Sequence, residues 1–184
     1  MTSNTSQPQL PGAHRSRQRG FTLVELVVTV GVLALLIGVA LPSFRAVLLR
    51  STVSAHTNDL LAALRLARSE AVKRSQQVEV LANGGNFTTG WVVRVVPTAE
   101  VIERRDLVDA NIPVLALATG GAADSTRVTF GPTGVMVGAT QFDFSICLPL
   151  AEADALRSRR IQILQSGSMA ARVDTTGAPA GSCS

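Results

Sequence analysis

The sequence predicts an α+β protein in which one long N-terminal helix packs on an antiparallel β-sheet domain. Three observations predict it. Residues 21–41, FTLVELVVTVGVLALLIGVAL, are an almost uninterrupted apolar run. Leu60, Leu61, Leu64, Ala67, Ala71 and Val72 then recur at the spacing of one helical face. Beyond Gln76 the chain breaks into short β-branched and aromatic segments punctuated by Gly, Pro and Asn. The 184 residues leave room for one domain and an appendage. Charged residues make up 16% of the chain, against ~25% in an ordinary soluble domain. The mean hydropathy of +0.29 points the same way, and the apolar run accounts for much of it.

Residues 1–20 are polar, contain Pro and Gly, and hold Arg15, Arg17 and Arg19 with no acid. They read as a disordered leader. Without those three arginines, 14 basic residues face 13 acidic ones, so the net charge of +4 belongs mostly to the leader. A nucleic-acid role would therefore need a local patch rather than the overall charge.

As a helix the 21-residue run would extend ~31 Å at ~1.5 Å per residue, the thickness of a bilayer's hydrocarbon core. A buried core helix is the alternative, but the run is apolar on every face. It is also too long for the apolar region of a secretory signal, and Leu41-Pro42-Ser43-Phe44 offers no small-residue cleavage site. Arg15, Arg17 and Arg19 favour a cytoplasmic N-terminus; Arg45 and Arg50 beyond the run weaken that bias without reversing it. Glu25 is the one charge inside the run. It is either an acid tolerated near the interface or a carboxylate awaiting a cationic partner, such as the amine that a cut before Phe21 would create.

Pro42 removes a backbone N–H and should bend the helix. Residues 42–76 are read as its amphipathic continuation, polar over Arg50–Asn58, with Arg65, Arg68, Lys73 and Arg74 mostly off the apolar stripe and an end near Arg74–Gln76. That stripe needs a sheet to cover it. Residues 77–184 are read as a β-rich domain. Strands are expected at Val78–Leu81, Gly90–Val96, Val101–Arg105, Ile112–Leu117, Arg127–Phe130, Val135–Val137, Gln141–Cys147, Arg160–Leu164 and Met169–Val173. Asn83–Asn86 and Gly131–Gly134 read as turns, and Ala118–Ser125 and Pro149–Asp154 as loops.

Arg19-Gly20-Phe21-Thr22-Leu23-Val24-Glu25-Leu26, with the basic leader before it and the apolar run after it, resembles the processing signal of type IV prepilins and pseudopilins. Pro42 matches the helix-kinking proline of many mature pilins. Leu60–Arg74, with its Leu-Ala-Arg-Ser-Glu-Ala-Val-Lys-Arg core, resembles the helix signature of the GspH/FimT group of minor pilins and pseudopilins. Gly90-Trp91, Val128-Thr129-Phe130 with Gly134, Phe144–Cys147 and the near-terminal Cys183 resemble the same group in order.

The resemblance implies a type IV pilin-like fold and a structural role: a minor subunit that primes or caps assembly of a type IV pilus. The alternatives it leaves are a minor pseudopilin of a type II secretion system and a DNA-binding minor pilin for uptake in transformation. It implies cutting between Gly20 and Phe21 by a prepilin peptidase, N-methylation of Phe21, and pairing of Glu25 with the Phe21 amine of itself or a neighbour. The partners implied are other major and minor pilins or pseudopilins. The location implied is the inner membrane, crossed once, with the C-terminal domain periplasmic. In that oxidising compartment Cys147 and Cys183 are expected to form a disulfide, two unpaired thiols being the alternative. DNA-binding members carry a Gly-Arg-x-Arg motif; the corresponding Gly167–Arg172 stretch has lost both motif arginines and keeps Arg172 further on. The remaining candidates for a DNA contact are Arg157, Arg159, Arg160 and Arg172.

No catalytic site is expected. His14 lies in the leader, and His56 and Asp59, three apart on the helix, could at most form a weak ion pair. No phosphate-binding loop, nucleophile elbow or HExxH is present. Two His and two Cys are too few for most metal sites, and no cofactor is expected. Six Phe, one Trp and no Tyr argue against a stacking platform for single-stranded nucleic acid.

Overall fold

The computed structural model describes residues 21–107, 112–147 and 158–173. The leader, the Pro149–Asp154 loop, Arg157 and Cys183 lie outside them. The chain divides into two compact units, Met1–Pro42 and Ser43–Ser184. A single helix, α1 (Leu23–Arg74), is continuous in sequence across that boundary. The side chains of residues 39–43, Pro42 among them, lie outside the described set, so the bend expected there does too.

In the first unit the helix begins where the apolar run begins. The Thr22 hydroxyl accepts the Glu25 N–H at 3.2 Å, and the Thr22 carbonyl accepts the Leu26 N–H at 3.1 Å. Thr22 is thus the N-cap, satisfying a donor that has no intrahelical partner. Large apolar side chains from Leu23 to Ile37 are all exposed. Among the described residues no helix is long and apolar enough to cross a membrane. The described side chains of the run stop at Gly38.

In the second unit α1 carries the expected stripe: Leu60, Leu64, Ala67 and Ala71 are fully buried. Two details differ from the expectation. Val53 and Thr57 are also buried, so the stripe starts inside the segment read as polar; the Thr57 hydroxyl bonds back to the Val53 carbonyl at 2.7 Å, which lets a polar residue sit there. Val72, placed on the stripe, is 50% exposed. The helix stops at Arg74 because Ser75 turns left-handed (φ 53°), with Ser75 N–H on the Val72 carbonyl and Gln76 N–H on that of Ala71.

Nine strands follow among the described residues: β1 (Val78–Ala82), β2 (Gly90–Val95), β3 (Val101–Asp106), β4 (Val114–Thr119), β5 (Arg127–Phe130), β6 (Met136–Val137), β7 (Gln141–Ile146), β8 (Arg159–Leu164) and β9 (Met169–Val173). Each falls on an expected segment to within a residue or two. They make two antiparallel sheets, ordered β3-β2-β1-β5-β6 and β4-β7-β8-β9. Asn83–Gly85 and Phe87–Thr89 are short 3₁₀ turns, where a plain turn was expected over the first.

The helix stripe and both sheets share one core. The first sheet contributes Val78, Val80, Trp91, Val93, Val95, Val128 and Phe130; the second contributes Phe142, Phe144, Ile146, Ile161 and Ile163. Phe144 meets Phe87 edge-on at 4.8 Å between ring centres. Each such side chain stabilises the fold by ~1.5–3 kcal/mol through burial. The sheets are tied at one end, where the Met136 N–H of β6 donates to the Gln165 carbonyl just beyond β8.

Candidate functional site

Three groups of residues expected to carry function fall in different places. The first is the helix start. Phe21 is exposed immediately before the cap, and Glu25 sits in the first turn of α1. A carboxylate there is favoured by the helix dipole. Thr22 and Glu25 stand in the spacing of a capping box, and the Thr22 half of it is formed. Thr22 thus joins Glu25 as a functional residue of the helix start, and Thr-x-x-Glu is its signature in the sequence. The Glu25 carboxylate has no hydrogen bond or ion pair among the described residues. Gly20 lies outside them.

The second group is the basic cluster. Arg160 and Arg172 oppose each other across β8 and β9, on the face of the second sheet turned away from the core. Arg160 is held by Asp143, Nε to Oδ1 at 3.0 Å, and Asp143 also accepts from Gln141 Nε2 at 2.6 Å. Asp143 is only 6% exposed, so this carboxylate is a buried counter-charge on the outer face. Arg159 is on the opposite face and reaches the Ser54 hydroxyl of α1 at 3.4 Å. The structure therefore does not gather Arg159, Arg160 and Arg172 into one patch; strand alternation separates Arg159 from the other two. Arg157 lies outside the described residues.

The third group is the cysteines. Cys147 follows β7, is 3% exposed, and its N–H donates to the Pro113 carbonyl at 2.9 Å. Among the described residues no cysteine is free.

The ion pair considered between His56 and Asp59 is not formed. Asp59 is instead paired with Arg105 of β3. Arg105 lies opposite Trp91 and so shares the helix-facing side of the first sheet. His56 Nδ1 is buried without a hydrogen-bond partner among the described residues, as is Trp91 Nε1.

Most remaining charge is compensated internally. Glu79, 3% exposed on the outer face of β1, accepts from Arg94 Nε at 2.6 Å and lies 3.7 Å from Arg127. Asp124 is held below the usual carboxylate range, first by the Thr126 hydroxyl, then by the Thr126 N–H and by Arg127. A cavity of ~350 Å³ beside Glu79, Asp124, Arg127 and Thr129 is thus bordered by charges already paired. No group of His, Cys, Asp and Glu suited to a metal occurs among the described residues.

Comparison with known proteins matches residues 56–167 to the family described as type II transport protein GspH, and residues 15–41 to the prokaryotic N-terminal methylation motif. No relative was found among curated proteins. Two solved chains are similar, both crystal structures of the type IV minor pilin FimU from Pseudomonas aeruginosa (strain PAO1). The P21 form is 21% identical, covers 68% of this chain and 90% of its own, and superposes with a TM-score of 0.54. The P65 form is 21% identical, with 65% and 91% covered and a TM-score of 0.53. This likeness establishes the type IV pilin fold, a long N-terminal helix packed on antiparallel sheet. Because the family match spans more than half of its residues, the chain belongs to the GspH family of pilin-like proteins.

Proposed function

We propose that the protein is a minor pilin that primes or caps assembly of a type IV pilus. A prepilin peptidase cuts between Gly20 and Phe21, and Phe21 is N-methylated. Residues 21–41 hold the subunit in the inner membrane, with the rest of the chain periplasmic, until it docks with other pilins. One observation carries this reading: a helix that starts at the methylation motif exposes its apolar side chains on every side. Such a surface is stable only in lipid or against other apolar helices. Glu25, without a partner in its own chain among the described residues, is then available to the Phe21 amine created by the cut.

We further propose that Cys147 and Cys183 are bonded. Ile146, Arg159 and Val173 lie in one row across β7, β8 and β9, so the end of β9 is two strand spacings, ~10 Å, from the residue before Cys147. Nine residues lie between Val173 and Cys183, ten steps along the chain, a reach of up to ~33 Å. The bond is therefore well within reach, and no free cysteine occurs among the described residues.

A second reading, a minor pseudopilin of a type II secretion system, is supported by the family's description as a type II transport protein. Mass spectrometry of the membrane-extracted protein tests what both share: the expected species begins with N-methylated Phe21, and an intact Met1 terminus beside an active prepilin peptidase would overturn both. Deleting the gene separates them, by loss of surface pili or by loss of secreted enzymes.

A further inference from the structure

The four edge strands of the two sheets are not equally protected. On β4, the Val114 N–H is taken by the Thr88 hydroxyl at 3.0 Å and the Ala118 N–H by the Ser125 hydroxyl at 3.1 Å. β6 is two residues long, and its Met136 N–H is taken by Gln165. β3 has a register shift opposite Val93 and Arg94 and carries Glu103, Arg104, Arg105 and Asp106. These are the usual devices that keep an edge from pairing with another chain. β9, Met-Ala-Ala-Arg-Val, has no register shift and no capped amide among the described residues, and carries the single charge of Arg172.

The direction of its free groups follows from the β8–β9 turn. The Leu164 N–H donates to the Ser168 carbonyl at 3.0 Å. By antiparallel alternation, Gln162 with Ala170 and Arg160 with Arg172 are the bonded pairs, and the N–H and C=O groups of Met169, Ala171 and Val173 point away from β8. None of these N–H groups has a partner among the described residues. Alongside Met169 runs an open groove of ~550 Å³, lined on the helix side by Arg65, Arg68, Val72 and Lys73. Arg65 and Arg68 have no carboxylate partner among the described residues, and Lys73 shares Glu70 with Arg74. On the outer face of β9, Arg172 is exposed and likewise lacks a carboxylate.

We infer that β9 is an acceptor edge: an extended, acidic segment of another protein chain adds to it as the next strand of the second sheet. Backbone hydrogen bonds to Met169, Ala171 and Val173 hold the segment. Its carboxylates meet Arg65, Arg68 and Lys73 in the groove and Arg172 on the outer face, and its apolar side chains cover Val72 and Met169. A second copy of this chain fits poorly. Pairing β9 with itself about Ala171 would bring the same cations of both copies together, and like charges across an interface oppose association. With the Cys147–Cys183 bond proposed above, residue 183 is tied to the end of β7, two strands away from the free edge of β9.

The test uses the full chain in detergent and two labelled octapeptides, one alternating valine with glutamate and the other valine with lysine, followed by fluorescence anisotropy. The glutamate peptide is expected to bind, and more weakly as salt is raised; the lysine peptide is not. Ala171→Pro removes an N–H that no described strand uses, so it should leave the thermal midpoint nearly unchanged while weakening binding about tenfold or more. Arg65→Glu should weaken it severalfold. Should Ala171→Pro fail to fold, amide exchange in the wild-type protein gives the answer: the glutamate peptide slows exchange at Met169, Ala171 and Val173. Equal binding of both peptides, binding indifferent to Ala171→Pro, unchanged exchange at those amides, or a β9-mediated dimer broken by Ala171→Pro would each overturn the proposal.

Discussion

Arg68 donates from Nε to the carbonyl of Gly134 at 3.0 Å, fastening helix α1 to the turn between β5 and β6. Gly167, in the turn between β8 and β9, closes over the same point. A Cβ built on it would stand 2.2 Å from the Gly134 carbonyl oxygen and 2.8 Å from Arg68 Nε. Helix and both sheets thus meet where there is no space for a methyl group, and Gly167 is left-handed besides (φ 76°). Gly167→Ala should destabilise the protein by ~2–4 kcal/mol, combining backbone strain with overpacking. Arg68→Ala, which removes one hydrogen bond and some packing, should cost about 1 kcal/mol. Urea unfolding measures both; a Gly167→Ala variant as stable as wild type would mean the three elements are not pressed together.

Glu79 supports its two arginines rather than a ligand. Glu79→Ala should lower stability by ~1–3 kcal/mol, toward the lower end because Arg94 and Arg127 are partly exposed and can regain water. The double variant Glu79→Leu with Arg94→Leu should recover most of that loss, since it leaves no buried polar group unpaired. A double-mutant cycle that gives simple additivity would exclude the coupling.

Asp124 predicts an acid limb in the stability curve. Its carboxyl titrates below the ordinary value of about 3.9 in the folded state, because Thr126 and then Arg127 favour the ionised form. A depressed folded-state value contributes stability that is fully present above about pH 4 and is lost as pH falls through the lower folded value. Asp124→Asn should therefore differ from wild type near neutrality and converge with it toward acid. Parallel curves for the two proteins down to pH 2 would contradict this assignment.

Cys183→Ser should lower the melting temperature of the β-rich domain and increase proteolysis after about Gln165. The chain-entropy model gives ~3–4 kcal/mol for closing a loop of this length. Thiol labelling of native protein without reductant decides the pairing, since two reactive thiols would refute it.

Glu25→Ala and Thr22→Val separate two roles at the helix start. Thr22→Val should weaken the first turn by ~1 kcal/mol while leaving the charge in place. Glu25→Ala should spare or even favour membrane insertion, because an acid in an apolar segment is removed. It should, however, depress incorporation into filaments. Normal incorporation of the Glu25→Ala protein would show that charge pairing is not its role.

Much of the architecture was legible along the chain because it depends on local period and punctuation. The strand over Gly90–Val95, the Gly131–Gly134 turn and the helical recurrence of Leu60, Leu64, Ala67 and Ala71 each reappear as expected. The apolar run after Phe21 and the methylation motif around it are likewise properties of consecutive residues; they indicate a pilin-like protein, and Leu60–Arg74 with the motifs beyond it narrows this to the family. What the linear pattern could not show was which partner each strand and charge would meet. It suggested a sheet and the structure has two; it set His56 beside Asp59, and the structure gives Asp59 to Arg105. It grouped Arg159 with Arg160 as neighbours, and the two-residue period of β8 sends them to opposite faces. Pairing, register and edge are decided by contacts between residues far apart in sequence. So only the tertiary structure could show that Arg160 is neutralised by a buried Asp143 while the outward backbone groups of β9 meet no partner among the described residues.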